Sequence, residues 1–88
     1  MKTIDTTLTD LVDVVVTVLG IEERRASLSA ATELLGGIPE LDSLALLELV
    51  VVIEERFAIA IDDGDLTGEV FETLGTLAAF VDAKQQGA

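Results

Sequence analysis

Apolar residues at Ile4, Leu8, Leu11, Val12, Val15, Val18 and Leu19 recur at intervals of three and four, the spacing of one stripe along an α-helix, and Gly20 ends the run. The valines have modest helix propensity, so packing against the rest of the protein must hold this segment helical. The period then lapses. Residues 21–41 carry Gly36, Gly37 and Pro39 and read as a long loop with a helical turn near 30–35. Loops of such length inside a small protein are more often functional than not.

Helical spacing resumes at 43–57. Asp42 stands where an N-cap belongs, with Leu41 before it and Leu46 after it placed as a hydrophobic staple. Stepping round this helix at 100° per residue puts Leu46, Leu49, Val50, Ile53 and Phe57 on one side as a core face. Leu44, Leu47 and Val51 form a second apolar strip on the opposite side, flanked by Glu48, Glu54 and Glu55. So small a chain cannot bury a helix on every side, and the surplus strip points to a partner. Glu54 and Glu55 lie near the helix C-terminus, where negative charge opposes the macrodipole and Arg56 offsets part of it; acids kept there suit recognition by Arg or Lys of a partner.

After Phe57 the run FAIAIDDGD looks extended and turn-like, with Ile59 and Ile61 on one side, and a short helical piece is expected at 65–71. A last helix at 73–84 would bury Leu74, Leu77, Ala78 and Val81, with QQGA fraying. No strand pairing or repeat is evident. The pattern predicts an all-α bundle of three main helices plus one short helix, forming a single domain over 1–88 with 83–88 as a frayed tail.

Composition narrows the chemistry. The 88 residues include no Cys and no His, which removes disulfides, the usual zinc ligands and the usual nucleophile–base pairs. Intrinsic catalysis is not expected, and no catalytic or metal-ligating residue is assigned. A formal net charge of −12 disfavours nucleic acid and anionic membrane and favours basic partners. The greasiest segment, 44–53, is interrupted by Glu48 and too short to span a bilayer, and the N-terminus has acids where a signal peptide needs an apolar run, so a cytoplasmic monomer is expected.

Ser43 is the remaining chemical handle. Most serines at helix starts only cap, but Asp42 can already cap, which leaves Ser43 free in the first turn. Unpaired N–H groups and the positive end of the helix dipole suit a phosphate attached there. Without a histidine nearby, Ser43 is no self-activated nucleophile; a modifying enzyme has to activate it.

Asp42-Ser43-Leu44 opening an acidic, apolar helix, followed by EERF and an Ile-containing acidic loop, resembles the acyl carrier protein family across essentially the whole chain. That resemblance implies that Ser43 receives 4′-phosphopantetheine from coenzyme A through a Mg²⁺-dependent phosphopantetheinyl transferase. The arm's thiol would carry an acyl or aminoacyl group as a thioester. It also implies that Asp42, Leu44, Leu47, Glu48, Val51, Glu54 and Glu55 face partners, namely the transferase and acyl-loading and acyl-transferring enzymes with basic docking surfaces. Ala45 and Arg56 stand where many family members have acids, which removes negative charge from the docking rim. The longer string LLGGIPELDSLALL resembles stand-alone carriers associated with exosortase and exopolysaccharide gene sets, with Leu44 in place of the common Met.

Two other readings stay open at this point: an unmodified acidic helical interaction module using the same helix, and a peptidyl or aminoacyl carrier of non-ribosomal synthesis. Val12, Val15, Leu46, Val50 and Ile59 could line a space for cargo but read better as ordinary core. DDGDLTGEVFET imitates a calcium loop from Asp63, yet its twelfth position is Leu74 where a bidentate Glu is required. Gly36-Gly37 lacks the lysine and Ser/Thr of a phosphate-cradling loop.

Overall fold

Three α-helices form where the apolar spacing places them: α1 over Ile4–Leu19, α2 over Ser43–Phe57 and α3 over Leu74–Gly87. The computed structural model describes residues 4–87, and the side chains of Ile4 and Asp5 lie outside the description, so the expected part of Ile4 in the α1 stripe does too. α1 is the central element, packing against both α2 and α3. No helix among the described residues is long and apolar enough to cross a membrane.

The α1 stripe is broader than its spacing suggests. Leu11, Val14, Val15 and Val16 are fully buried along with Thr7, whereas Leu8, Val12, Val18 and Leu19 pack half-buried at the margin. Val14 and Val16 fall outside the expected stripe. A 3₁₀ helix at Glu22–Ser27 packs back on α1, so α1 is covered from more than one direction. Gly20 ends α1 at φ +68°, and the Ile21 N–H donates to the Val16 carbonyl at 3.0 Å, a left-handed cap that closes the last turn.

The long loop differs from expectation in two ways. Its helical turn lies at Glu22–Ser27, not at 30–35. The 30–35 stretch is instead sewn to the start of α3 through an isolated antiparallel bridge between Glu33 and Thr73, where no strand pairing was expected. Leu34 donates to the Glu72 carbonyl at 2.9 Å, Leu74 to Thr32 at 3.0 Å and Gly75 to Ala30 at 2.9 Å. A Cβ on Gly75 would sit 2.9 Å from the Ala30 oxygen, so the close approach requires glycine there. Leu34, Ile38 and Leu41 hang from this loop into the core.

Beyond α2, the expected helical piece at 65–71 is replaced by a one-turn 3₁₀ helix at Asp63–Asp65 followed by turns. The register is set by a reciprocal box: the Asp62 carboxylate accepts from the third residue on, and Asp65 accepts from the Asp62 N–H at 3.1 Å. Fraying at 83–88 is also corrected within the described residues, since α3 continues through Gly87. Gln85 donates from Nε2 to the Phe57 carbonyl at 3.1 Å and Gln86 to Asp82 at 2.9 Å, tying the last turn down. The all-α class stands, with three long helices and short 3₁₀ segments between them.

Candidate functional site

The α2 N-terminus is built by Asp42. Its backbone is extended, and its carboxylate accepts the Ala45 N–H at 2.8 Å, satisfying one of the donors a helix start leaves open. Two backbone turns lead into it: Leu41 donates to the Ile38 carbonyl and Asp42 to that of Glu40. Leu41 is buried and Leu46 packs at the core margin, as a staple requires. Ser43 follows, exposed and relieved of capping duty.

The two apolar faces of α2 separate cleanly. Leu49, Val50, Ile53 and Phe57 are buried, with Leu46 half-buried beside them. Leu44, Leu47 and Val51 remain 67, 57 and 54 % exposed. Val52, which the spacing did not single out, joins Leu47, Glu48 and Val51 in lining a shallow apolar groove next to the strip. A second apolar groove, between Ala58–Ala60 and Phe80–Gly87, lies at the opposite end of α2 from Ser43. Val12, Val15, Leu46, Val50 and Ile59, considered as a cargo lining, belong to the packed core and its margin.

The charged residues of α2 divide. Glu48 and Glu55 are exposed. Glu54 is half-buried, and its Oε2 accepts the Ile61 N–H at 2.8 Å across the left-handed turn at Ala58, φ +54°. Arg56 is exposed, and its guanidinium reaches Asp10 at 3.5 Å and Asp13 at 3.4 Å on α1. Ala45 is half-buried, facing away from the strip.

Each cation among the described residues has an acidic partner. Arg25 binds Asp13 at 2.7 Å and Glu22 at 2.9 Å, and Lys84 binds Asp65 at 3.0 Å. Arg24 pairs with Glu40, three residues before Ser43. Hydrogen bonds from Arg25 and Arg56 hold the Asp13 carboxyl below its ordinary value, and that from Arg24 does the same for Glu40. Apart from the local Glu22–Arg25 pair, these contacts join segments distant in sequence, which spacing does not reveal. No group of three or more acidic side chains that could hold a metal ion occurs among the described residues.

What this arrangement offers chemically is an accessible hydroxyl at a positive helix end, beside an apolar strip with carboxylates along it. The family model for the phosphopantetheine attachment site matches the chain over residues 9–82. The chain is also similar to a holo acyl carrier protein from Nitrosomonas europaea, solved in solution by NMR. The two are 40 % identical with a TM-score of 0.84, over 90 % of this chain and 95 % of that one.

Proposed function

From the premise that the chain belongs to the acyl carrier protein family, we propose that Ser43 bears a covalent 4′-phosphopantetheine donated by coenzyme A. The whole 88-residue chain then acts as one carrier domain, a cytoplasmic monomer that presents its cargo and catalyses nothing itself. When attached, the group supplies a thiol that holds an acyl chain as a thioester. Everything else falls to the protein. Asp42 caps α2 through Ala45, which leaves the Ser43 oxygen exposed for a phosphopantetheinyl transferase. The open N–H groups and dipole of α2 favour the negative phosphodiester placed there. Leu44, Leu47 and Val51 give the transferase and the acyl-handling enzymes an apolar strip to seat on, with basic groups on those partners meeting the α2 acids.

The observation that carries the reading is the exposed Ser43 at a helix start already capped by its neighbour. Incubation with coenzyme A, Mg²⁺ and a broad-specificity transferase should add the mass of one phosphopantetheine. Ser43→Ala should stay folded by circular dichroism and gain nothing in the intact-mass spectrum. A variant that still gains the mass would remove Ser43 from the role. Wild-type protein that never gains it, yet binds a basic partner, would support an unmodified interaction module instead.

A further inference from the structure

Residues 36–42 lie between the stretch joined to the start of α3 and the first turn of α2, and their own backbone hydrogen bonds are all local. The Gly37 and Ile38 N–H groups donate to the Leu34 carbonyl, Leu41 to Ile38 and Asp42 to Glu40. Such bonds shape a turn without fixing where it lies against the rest of the protein. Ile38 and Leu41 hang into the core and set its depth. Apolar burial is non-directional, so the sideways place of the turn falls to its polar side chains. There are two. Asp42 is engaged by the Ala45 N–H of α2 at 2.8 Å. Glu40 reaches outward instead, and its Oε2 accepts a hydrogen bond from the Arg24 guanidinium, sixteen residues upstream. Arg24 sits on the 3₁₀ helix at Glu22–Ser27. That helix is held to α1 by the Ile21 N–H on the Val16 carbonyl at 3.0 Å and by Arg25 on Asp13 at 2.7 Å. The turn before Ser43 is therefore tied on one side to α3, through 30–35, and on the other to α1, through Arg24.

We infer that Arg24 is a positioning residue for the modification of Ser43, acting through Glu40, three residues before the hydroxyl. The inference rests on the carrier reading and adds to it a residue outside α2. In the transfer, the Ser43 Oγ bonds to the coenzyme A phosphorus nearer the pantetheine as the bond to adenosine 3′,5′-bisphosphate breaks. The hydroxyl proton passes to a base of the transferase. Such a centre is sensitive to place, since an error of about 1 Å costs on the order of a hundredfold in rate. An exposed ion pair contributes little to global stability, yet it is well suited to trimming the position of a turn whose depth is already set.

The test is a double-mutant cycle in the full chain, read as kcat and KM for the carrier with a broad-specificity phosphopantetheinyl transferase, coenzyme A and Mg²⁺. Arg24→Ala and Glu40→Ala should each lower kcat about threefold or more, with KM within about twofold of wild type. The double variant should be no slower than either single one, because the second substitution removes a contact already lost. The exchanged pair Arg24→Glu/Glu40→Arg should recover most of the rate. Thermal unfolding should barely move, whereas amide hydrogen exchange at Leu41 and Asp42 should quicken in both single variants. Opposite shifts of KM, up for Glu40→Ala and down for Arg24→Ala, with kcat unchanged, would make Glu40 a plain surface charge and overturn the inference. Additive losses with no recovery in the exchanged pair would overturn it as well. Both outcomes leave Ser43 modified and so spare the carrier reading. Wild type that never gains phosphopantetheine would defeat that reading, and the role of Arg24 with it.

Discussion

The two apolar faces of α2 are made of the same residue types and do opposite things. Leu49, Val50, Ile53 and Phe57 sit against the rest of the protein, whereas Leu44, Leu47 and Val51 on the same helix remain more than half exposed. Hydrophobicity alone therefore cannot assign a role; the neighbours do. One face contributes folding free energy through burial. The other stays open to solvent, so a protein that covered it would gain that free energy. Hydrophobic residues spread round a helix in a small protein are better read as two interfaces than as one poorly patterned core.

The largest expected effect tests this contrast directly. Ile53→Ala should cost about 2–5 kcal/mol by urea unfolding, because it removes packed methyl groups and leaves a cavity. Leu47→Ala should stay within about 0.5 kcal/mol of wild type while weakening turnover by partner enzymes. Equal stability losses at the two sites would end the distinction between the faces. A smaller effect, about 1 kcal/mol, is expected for Asp42→Ala, which opens the Ala45 N–H at the point where both faces begin. Restoring a cap with Asp42→Asn should recover most of it.

The smallest effect concerns Asp13, which receives Arg56 from α2 and Arg25 from the first 3₁₀ helix. Its carboxyl is held below the ordinary value, chiefly by the hydrogen bond from Arg25, so its contribution is present above the unfolded-state pKa, about 3.9. The contribution is lost as pH falls through the lower folded value. Asp13→Asn should therefore be slightly less stable than wild type at neutral pH, with the gap closing in urea midpoints measured below about pH 4. A gap that persisted to low pH would mean that Asp13 contributes through something other than its charge and the arginines beside it.

α2 was legible in the sequence because its signals are local: an Asp cap, an apolar residue on either side of it, and sustained helical spacing. The same holds for the body of α3, where Leu74, Leu77, Ala78 and Val81 are fully buried as their spacing requires. Where the reading failed, the deciding interaction came from elsewhere in the chain. The 3₁₀ helix at Glu22–Ser27 has no apolar period, and Arg25 joins it to Asp13 on α1. The last turn of α3 depends on Gln85 reaching Phe57, and the 30–35 stretch on backbone partners about forty residues downstream. Asp62 and Asp65 did carry a local signal, a capping pair three apart, but the helical piece was placed a turn too late. At the site, Ser43 and the exposed strip could be read from spacing. The diversion of Glu54 and Arg56 could not, since it depends on what lies across from each side chain.

The stitching of residues 30–35 to the start of α3 has a mechanical corollary. The stretch leading up to Ser43 is bolted at Leu34, Leu74 and Gly75 to a helix other than the one Ser43 opens. A group carried on that hydroxyl would hang from a stretch anchored eight residues back, and a swing toward successive enzymes would be the work of its tether.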